Sequence, residues 1–322
     1  MSVKSTKNIL VTGGCGYVGT LLTKALLADG HNVTVVDTQW FGNFLDPHDS
    51  LTIVKEDIRN HDAIPVEGVD AILHMANIAN DPCVDLDPVL SWEVNDLATM
   101  QLIDRASRAG VGQFIFASSG SVYGVKDEPR VTEDLSLVPI SVYNKTKMVA
   151  ERVLLSYQDK MQVHNVRPAT VCGYSPRMRL DVAVNMLTMQ ALTKGKITVF
   201  GGSQTRPNIH ILDLVDVYRH FIENPEIPSG CYNAGFENIS ILEIAEYVRA
   251  RIDADVVVSE SNDPRSYRLS SEKLLATGFS PKRSVGQAID ELVLHYRDGV
   301  LKEDERSHNV NWMTQIIKQG KV

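Results

Sequence analysis

Three groups of residues in this chain have types and spacings suited to chemistry. In "VTGGCGYVGT" (11–20), Gly13, Gly16 and Gly19 follow an apolar run. Absent side chains there permit a tight turn, close approach of backbone to a diphosphate, and close packing of a following helix. In "ASSGSVYG" (117–124), Ser118 and Ser119 end the apolar "GQFIFA", either as a strand-end turn or with one of them holding a reacting hydroxyl. In "YNKTK", Tyr143 stands four residues before Lys147, one turn apart on one helix face. An ammonium beside a phenol acts on acidity. A free tyrosine has a pKa of about 10, so a base near pH 7 needs about three units, roughly 4 kcal/mol, of phenolate stabilisation. A lysine and a second nearby cation supply that together. Each group also has an ordinary explanation: packing glycines, a strand-end turn, an exposed helix pair.

The elements that must position these groups are strands and helices in alternation. "NILVT" (8–12), "NVTVVD" (32–37), "LTIVKED" (51–57), "DAILHMA" (70–76), "GQFIFASS" (112–119) and "MQVHNVRP" (161–168) are short apolar runs. Segments of helical spacing at 20–30 and 95–110 separate them. Near-continuous apolar strands between helices predict a doubly wound parallel sheet of the α/β class, covered on both faces. The glycine turn then lies between strand one and helix one, where a helix amino terminus faces dinucleotide phosphates. Asp37 ends strand two at the distance where an acid accepts from the adenosine ribose hydroxyls. No arginine follows it to hold a 2′-phosphate, which favours NAD over NADP. Asp57, at the end of strand three, is either an adenine contact or a solvated loop acid.

After Pro168 the pattern becomes irregular. "YSPRMRLD" (174–181) and "GGSQTRPN" (201–208) read as loops around a helix at 182–194. A helix at 211–223 and a strand at 229–235 return to the sheet. The predicted organisation is a cofactor domain over 1–170, with 208–235 returning to it, and a smaller interleaved α/β lobe over 171–207 and 236–310. A tail over 311–322 is expected as a frayed helix or a partner contact.

Composition sets the bounds. A chain of 322 residues, 43% hydrophobic, buries a large core as one α/β unit or two lobes. Its four cysteines form neither a CxxC pair nor a cluster at zinc spacing, so no metal and no disulfide framework is expected, in keeping with a cytoplasmic setting. The first strand begins within ten residues, without a signal-peptide core, and no span of eighteen apolar residues occurs, so no membrane is expected. A net charge of -8 argues against nucleic acid as a partner.

Together, Gly13, Gly16, Gly19, Asp37, Ser119, Tyr143 and Lys147, in this order, resemble the extended short-chain dehydrogenase/reductases, in particular the nucleotide-sugar epimerase/dehydratase branch. The resemblance covers nearly the whole chain. It implies a Rossmann-type fold, NAD as cofactor and a nucleoside-diphosphate sugar as substrate. By the same resemblance, Ser119 and Tyr143 face the sugar C4 hydroxyl and Lys147 holds the nicotinamide ribose, whose positive ring is the second cation. Gly13, Gly16, Tyr17, Val18, Asp37, Asp57, Ile58 and Asn95 are the implied cofactor contacts. Asn185 and Met186 would approach the diphosphate or base, Phe200 would line the base, and Arg206 and Arg265 would hold the phosphates through two-point guanidinium contacts. Arg177 and Arg179, in a "SPRMRLD" piece similar to that of nucleotide-heptose C4 dehydrogenases, divide evenly between such a role and pairing between lobes or subunits. A homodimer built on helices 97–109 and 146–157 is also implied.

One departure bears on the reaction. Family members that eliminate water carry acids at the two positions after the hydroxyl, those that decarboxylate carry a glutamate, and those that epimerise at C3 and C5 carry a cysteine. Here Gly120 and Ser121 stand there. Asp81 and Asp85 are the nearest acids by sequence order, expected as solvated loop residues. The expected chemistry is oxidation at C4, with hydride returned to the opposite face by an epimerase or the ketone released by a dehydrogenase. A third reading, a dinucleotide sensor without turnover, leaves the phenol–ammonium pair without a purpose.

Overall fold

The computed structural model describes residues 5–260 and 266–322. The chain first forms β1 (Asn8–Thr12), β2 (Asn32–Asp37), β3 (Leu51–Lys55), β4 (Ala71–His74), β5 (Gln113–Ala117) and β6 (Gln162–Pro168). It then forms β7 (Thr170–Cys172), β8 (Lys196–Phe200), β9 (Thr205–His210), β10 (Gly230–Ala234), β11 (Glu237–Ser240) and β12 (Asp255–Ser259). Seven strands make the main sheet, in the order β10-β6-β5-β4-β1-β2-β3, and every pairing in it is parallel.

The near-continuous apolar strands have the cause expected of them, since both faces of the sheet are covered. Ile9, Val11, Leu73 and Ile115 face one way, onto Leu22, Leu26 and Phe221. Leu10, Ile72, Phe114 and Phe116 face the other way, onto Leu102, Ile103 and Ala150. Strand order reverses between β1 and β4, which opens a crevice beyond their carboxyl ends.

A smaller body lies beyond β6. The three-stranded sheet β11-β9-β7 and the pair β12-β8 carry helices Ala183–Lys194, Ile241–Arg249 and Val285–Arg297 over a separate core of Leu187, Val199, Ile244 and Ile289. The last two of these helices open on reciprocal capping boxes, Ser240 with Glu243 and Ser284 with Gln287. The helix Ile211–Glu223 packs on the first core through Leu214, Tyr218 and Phe221.

Three local outcomes differ from the sequence expectation. β5 stops at Ala117, and Ser118 N makes its last bond to β6, at 2.8 Å to the Val166 carbonyl, so Ser119 is the serine that stands past the ladder. The helix expected from 95 begins as a π-helical stretch, Glu93–Leu97, before the α-helix Ala98–Arg108. The tail forms a docked helix, Asn309–Lys318, because Met313 and Ile316 find buried seats and Trp312 Nε1 donates to the Trp40 carbonyl at 2.6 Å.

Candidate active site

β1 leads directly into the glycine turn. Gly13 takes a φ of +74°, and a Cβ there would lie 2.6 Å from the Ala76 nitrogen at the end of β4. A Cβ on Gly19 would lie 2.2 Å from the Gly13 carbonyl oxygen, so the first helix approaches the turn only without a side chain. That helix, Tyr17–Ala28, has Gly16 as its N-cap and no side-chain cap, leaving its first-turn N–H groups for a ligand. Gly13, Gly16, Tyr17, Val18 and Asp37 line a cavity of about 440 Å³ in the crevice. Asp37 accepts from Gln39 N at 2.7 Å and Cys15 N at 3.0 Å. Burial raises its pKa, against those bonds and the charge of Arg177. This uncapped helix end, backbone cradle and carboxylate fit an adenine dinucleotide.

The other cofactor expectations fall differently. Ile58 and Asp57 are on the wall, but Asp57 is paired with Arg59, at 2.7 Å to Nη2 and 3.1 Å to Nε. Asn95 is not on the wall. Its buried amide accepts from Ile78 N at 2.8 Å and donates to Ile78 O and Thr146 Oγ1, both at 3.2 Å. It therefore shapes the cavity through Ile78, which does line it.

The groups expected to react lie at the ends of β5 and the helix Val142–Leu155. Ser119 caps a one-turn 3-10 helix, Gly120–Tyr123, accepting from Ser121 N at 3.2 Å. Its hydroxyl is 2.7 Å from the Ser121 hydroxyl, which donates to Asn144 Oδ1 at 2.6 Å. Ser118 donates to Glu151 Oε1 at 2.5 Å, and that carboxylate holds Arg167 at 2.7 and 2.9 Å, a buried structural pair. Ser141 caps the helix of Tyr143 and donates to Asp81 Oδ1 at 2.5 Å.

Lys147 is buried, donates to the Ala117 carbonyl at 2.8 Å, and stands 4.6 Å from the Phe116 ring centre and 5.9 Å from that of Tyr143. Burial brings its pKa down to about 7, while Asp96 and Glu151 pull upward. Burial pushes the Tyr143 phenol up to about 12, against a hydrogen bond with Ser119 and the charge of Arg179. The phenol therefore starts above a free tyrosine, and the positive charges near it have more to offset.

Of the substrate expectations, Arg206 is on the cavity wall. Asn185 is not, because its amide is consumed: Oδ1 accepts from Gly173 N at 3.0 Å, while Nδ2 donates to Tyr17 Oη at 3.0 Å and Arg179 O at 2.9 Å. Met186 packs against the second core instead. Phe200, 56% exposed, ends the strand β8 of the two-stranded sheet, away from the wall. Arg265 lies outside the described residues. Thr170, Tyr267, Arg177 and Arg179 are wall residues that the sequence reading did not assign to the site. Arg179 is clamped by Asp181 at 2.9 and 3.1 Å, and Asn80 donates to Asp181 at 3.3 Å. Arg177 donates to Asn309 Oδ1 at 2.8 Å and lies 4.1 Å over the Phe41 ring, with its Nε buried and unpartnered among the described residues. The available signal was two arginines and an acid alternating in one polar loop. Asp81, expected in solvent, lines the cavity. No cluster that could hold a metal ion occurs among the described residues, and no helix among them is long and apolar enough to cross a membrane.

A glycine-cradled crevice at a strand-order reversal, with a serine and a tyrosine on its wall and a lysine buried off that wall beside the tyrosine, defines a dinucleotide-dependent enzyme of the short-chain dehydrogenase/reductase type. The sequence profile of the NAD dependent epimerase/dehydratase family matches residues 9–235, and the chain belongs to that family, with NAD as its cofactor. It is similar to UDP-glucuronic acid decarboxylase 1 of Danio rerio, 29% identical over 92% of this chain and 74% of that protein. It is also similar to UDP-glucose 4-epimerase of Lactobacillus helveticus, 26% identical over 88% of this chain and 94% of that one. The solved UDP-glucose 4-epimerase of Thermus thermophilus, complexed with NAD, superposes at a TM-score of 0.79 with 26% identity, covering 90% of this chain and 99% of that one.

Proposed function

We propose that the protein is an NAD-dependent epimerase of a nucleoside-diphosphate sugar, working through oxidation at C4. Tyr143 takes the proton of the C4 hydroxyl, Ser119 hydrogen-bonds the same oxygen, and Lys147 adds positive charge beneath the phenol. Bound NAD supplies the acceptor, and then the donor, of the C4 hydride. Arg206, Arg179 and Arg177 give an acidic protein local positive charge for phosphates.

The observation that carries this reading is the segment after Ser119. A Cβ on Gly120 would lie 3.1 Å from the Pro168 carbonyl oxygen, and the Ser121 hydroxyl is held between Ser119 and Asn144. Neither position offers an acid to remove a neighbouring proton or leaving group. Return of hydride to the other face completes an epimerisation. Release of the keto sugar makes the same residues a C4 dehydrogenase.

One observation favours a second reading. Asp81 lines the cavity and its charge acts on Tyr143, which supports a reading in which this carboxylate assists elimination or decarboxylation. Incubation with nucleotide sugars in deuterated water, followed by mass spectrometry and NMR, separates the readings. Epimerisation leaves mass unchanged and C5 and C6 free of deuterium. A product lighter by water or carbon dioxide, or deuterium at C5 or C6, overturns it in favour of Asp81.

A further inference from the structure

Asp96 sits in the π-helical stretch Glu93–Leu97, 5% exposed, with both carboxylate oxygens buried and unpartnered among the described residues. Such a group is costly in a fold and needs a reason. π-Helical turns also occur often at functional sites. The stretch packs on the helix of Lys147, where the neighbouring Asn95 donates to Thr146 Oγ1 at 3.2 Å, and the charge that acts on Asp96 from there is that of Lys147.

The groups around Lys147 leave Asp96 as the uncommitted negative charge. Glu151, one turn along the same helix, is bound to Arg167 from β6 and to Ser118. His74, on β4, is held between Thr12 at 2.6 Å and Thr99 at 2.8 Å, and burial brings it down to about 3, so it stays neutral. Tyr143 is the group Lys147 serves, and β5 offers only the Ala117 carbonyl and the Phe116 ring. Burial raises Asp96 and lowers Lys147, and the charge of each works against that shift in the other.

We propose that Asp96 is the positioning residue that keeps Lys147 an ammonium at neutral pH, and so sets the pH range in which Tyr143 acts as a base. This rests on the roles given to Tyr143 and Lys147 above. A carboxylate here holds the proton on the lysine, and the lysine charge in turn stabilises the phenolate. An asparagine keeps the shape and removes the charge, so the ammonium is lost at a lower pH and the alkaline limb of the rate profile moves inward.

The test has two arms. In the NAD-loaded enzyme, Asp96→Asn should move the alkaline limb of the kcat profile down by about one pH unit, a tenfold loss on that limb, with the substrate KM little changed. Asp96→Glu should restore most of the loss. An unmoved profile in Asp96→Asn overturns the proposal. The second arm needs no turnover and no Asp96 variant. With carbon-13 in the aspartate carboxyls, Asp96 should titrate near neutral pH by NMR, and Lys147→Met should raise its midpoint. Titration in the ordinary carboxylate range, or no response to Lys147→Met, also overturns it. If Tyr143 is not the base, the rate profile loses its meaning but the NMR coupling persists, so the two failures are distinguishable.

Discussion

Tyr143 begins further from reactivity than its residue type implies, because its partial burial raises the phenol to about 12. The cations around it therefore do more than trim an ordinary tyrosine. Arg179 is among the charges that reach it, and Lys147 needs a counter-charge to remain one. Tyr143→Phe should lower kcat by about 10²- to 10⁴-fold while leaving substrate affinity within a few-fold, since the lost hydroxyl acts mainly in the transition state. Rapid-kinetic turnover and equilibrium binding of the nucleotide sugar check the two halves. Ser119, Tyr143 and Lys147 were legible because their relation is local: a strand end, and two side chains four residues apart. Arg177 was not, because its partner Asn309 is 132 residues away. Asn185 looked like a ligand for the mirror-image reason, since the backbone groups that consume its amide cannot be seen in the sequence.

At the scale of elements, the end of β4 is as constrained as the glycine turn. His74 bridges Thr12 of β1 and Thr99 of the following helix, wholly buried, and burial first, then Lys147, lower its pKa to about 3. A histidine lowered on folding lends stability that is fully present above its unfolded pKa of about 6.5 and is lost as pH falls toward 3. The span is about 3.5 units, worth at most roughly 5 kcal/mol. Urea unfolding between pH 7 and 4 should show this slope in the parent protein and a shallower one in His74→Asn. The strands and longer helices were legible because period and caps agree. The π-helical start and the helix Asn309–Lys318 were not, because the first depends on how buried side chains fit between helices and the second on seats supplied by remote residues.

The whole molecule repeats this division. Six parallel strands announced themselves as apolar runs, and the order reversal between β1 and β4 placed the crevice. The smaller body was harder to read because strands such as "TRPNIH" (β9) owe their form to pairing with β7 and β11 rather than to an apolar pattern. Val89, Leu97 and Met100 remain 69%, 52% and 42% exposed along Pro88–Arg108, an apolar strip beside the helix of Tyr143. The expected homodimer would cover it, and light scattering at micromolar concentration should give twice the chain mass, falling to one chain in Leu97→Glu/Met100→Glu. The seal on the cofactor crevice has its own consequence. Trp312 reaches Trp40 across 272 positions of sequence, and Asn309 and Met313 complete the wall begun by the glycine turn. The helix Asn309–Lys318 is thereby part of the cofactor wall, so a chain cut before Asn309 is expected to bind NAD more weakly in an equilibrium titration while the main sheet stays folded.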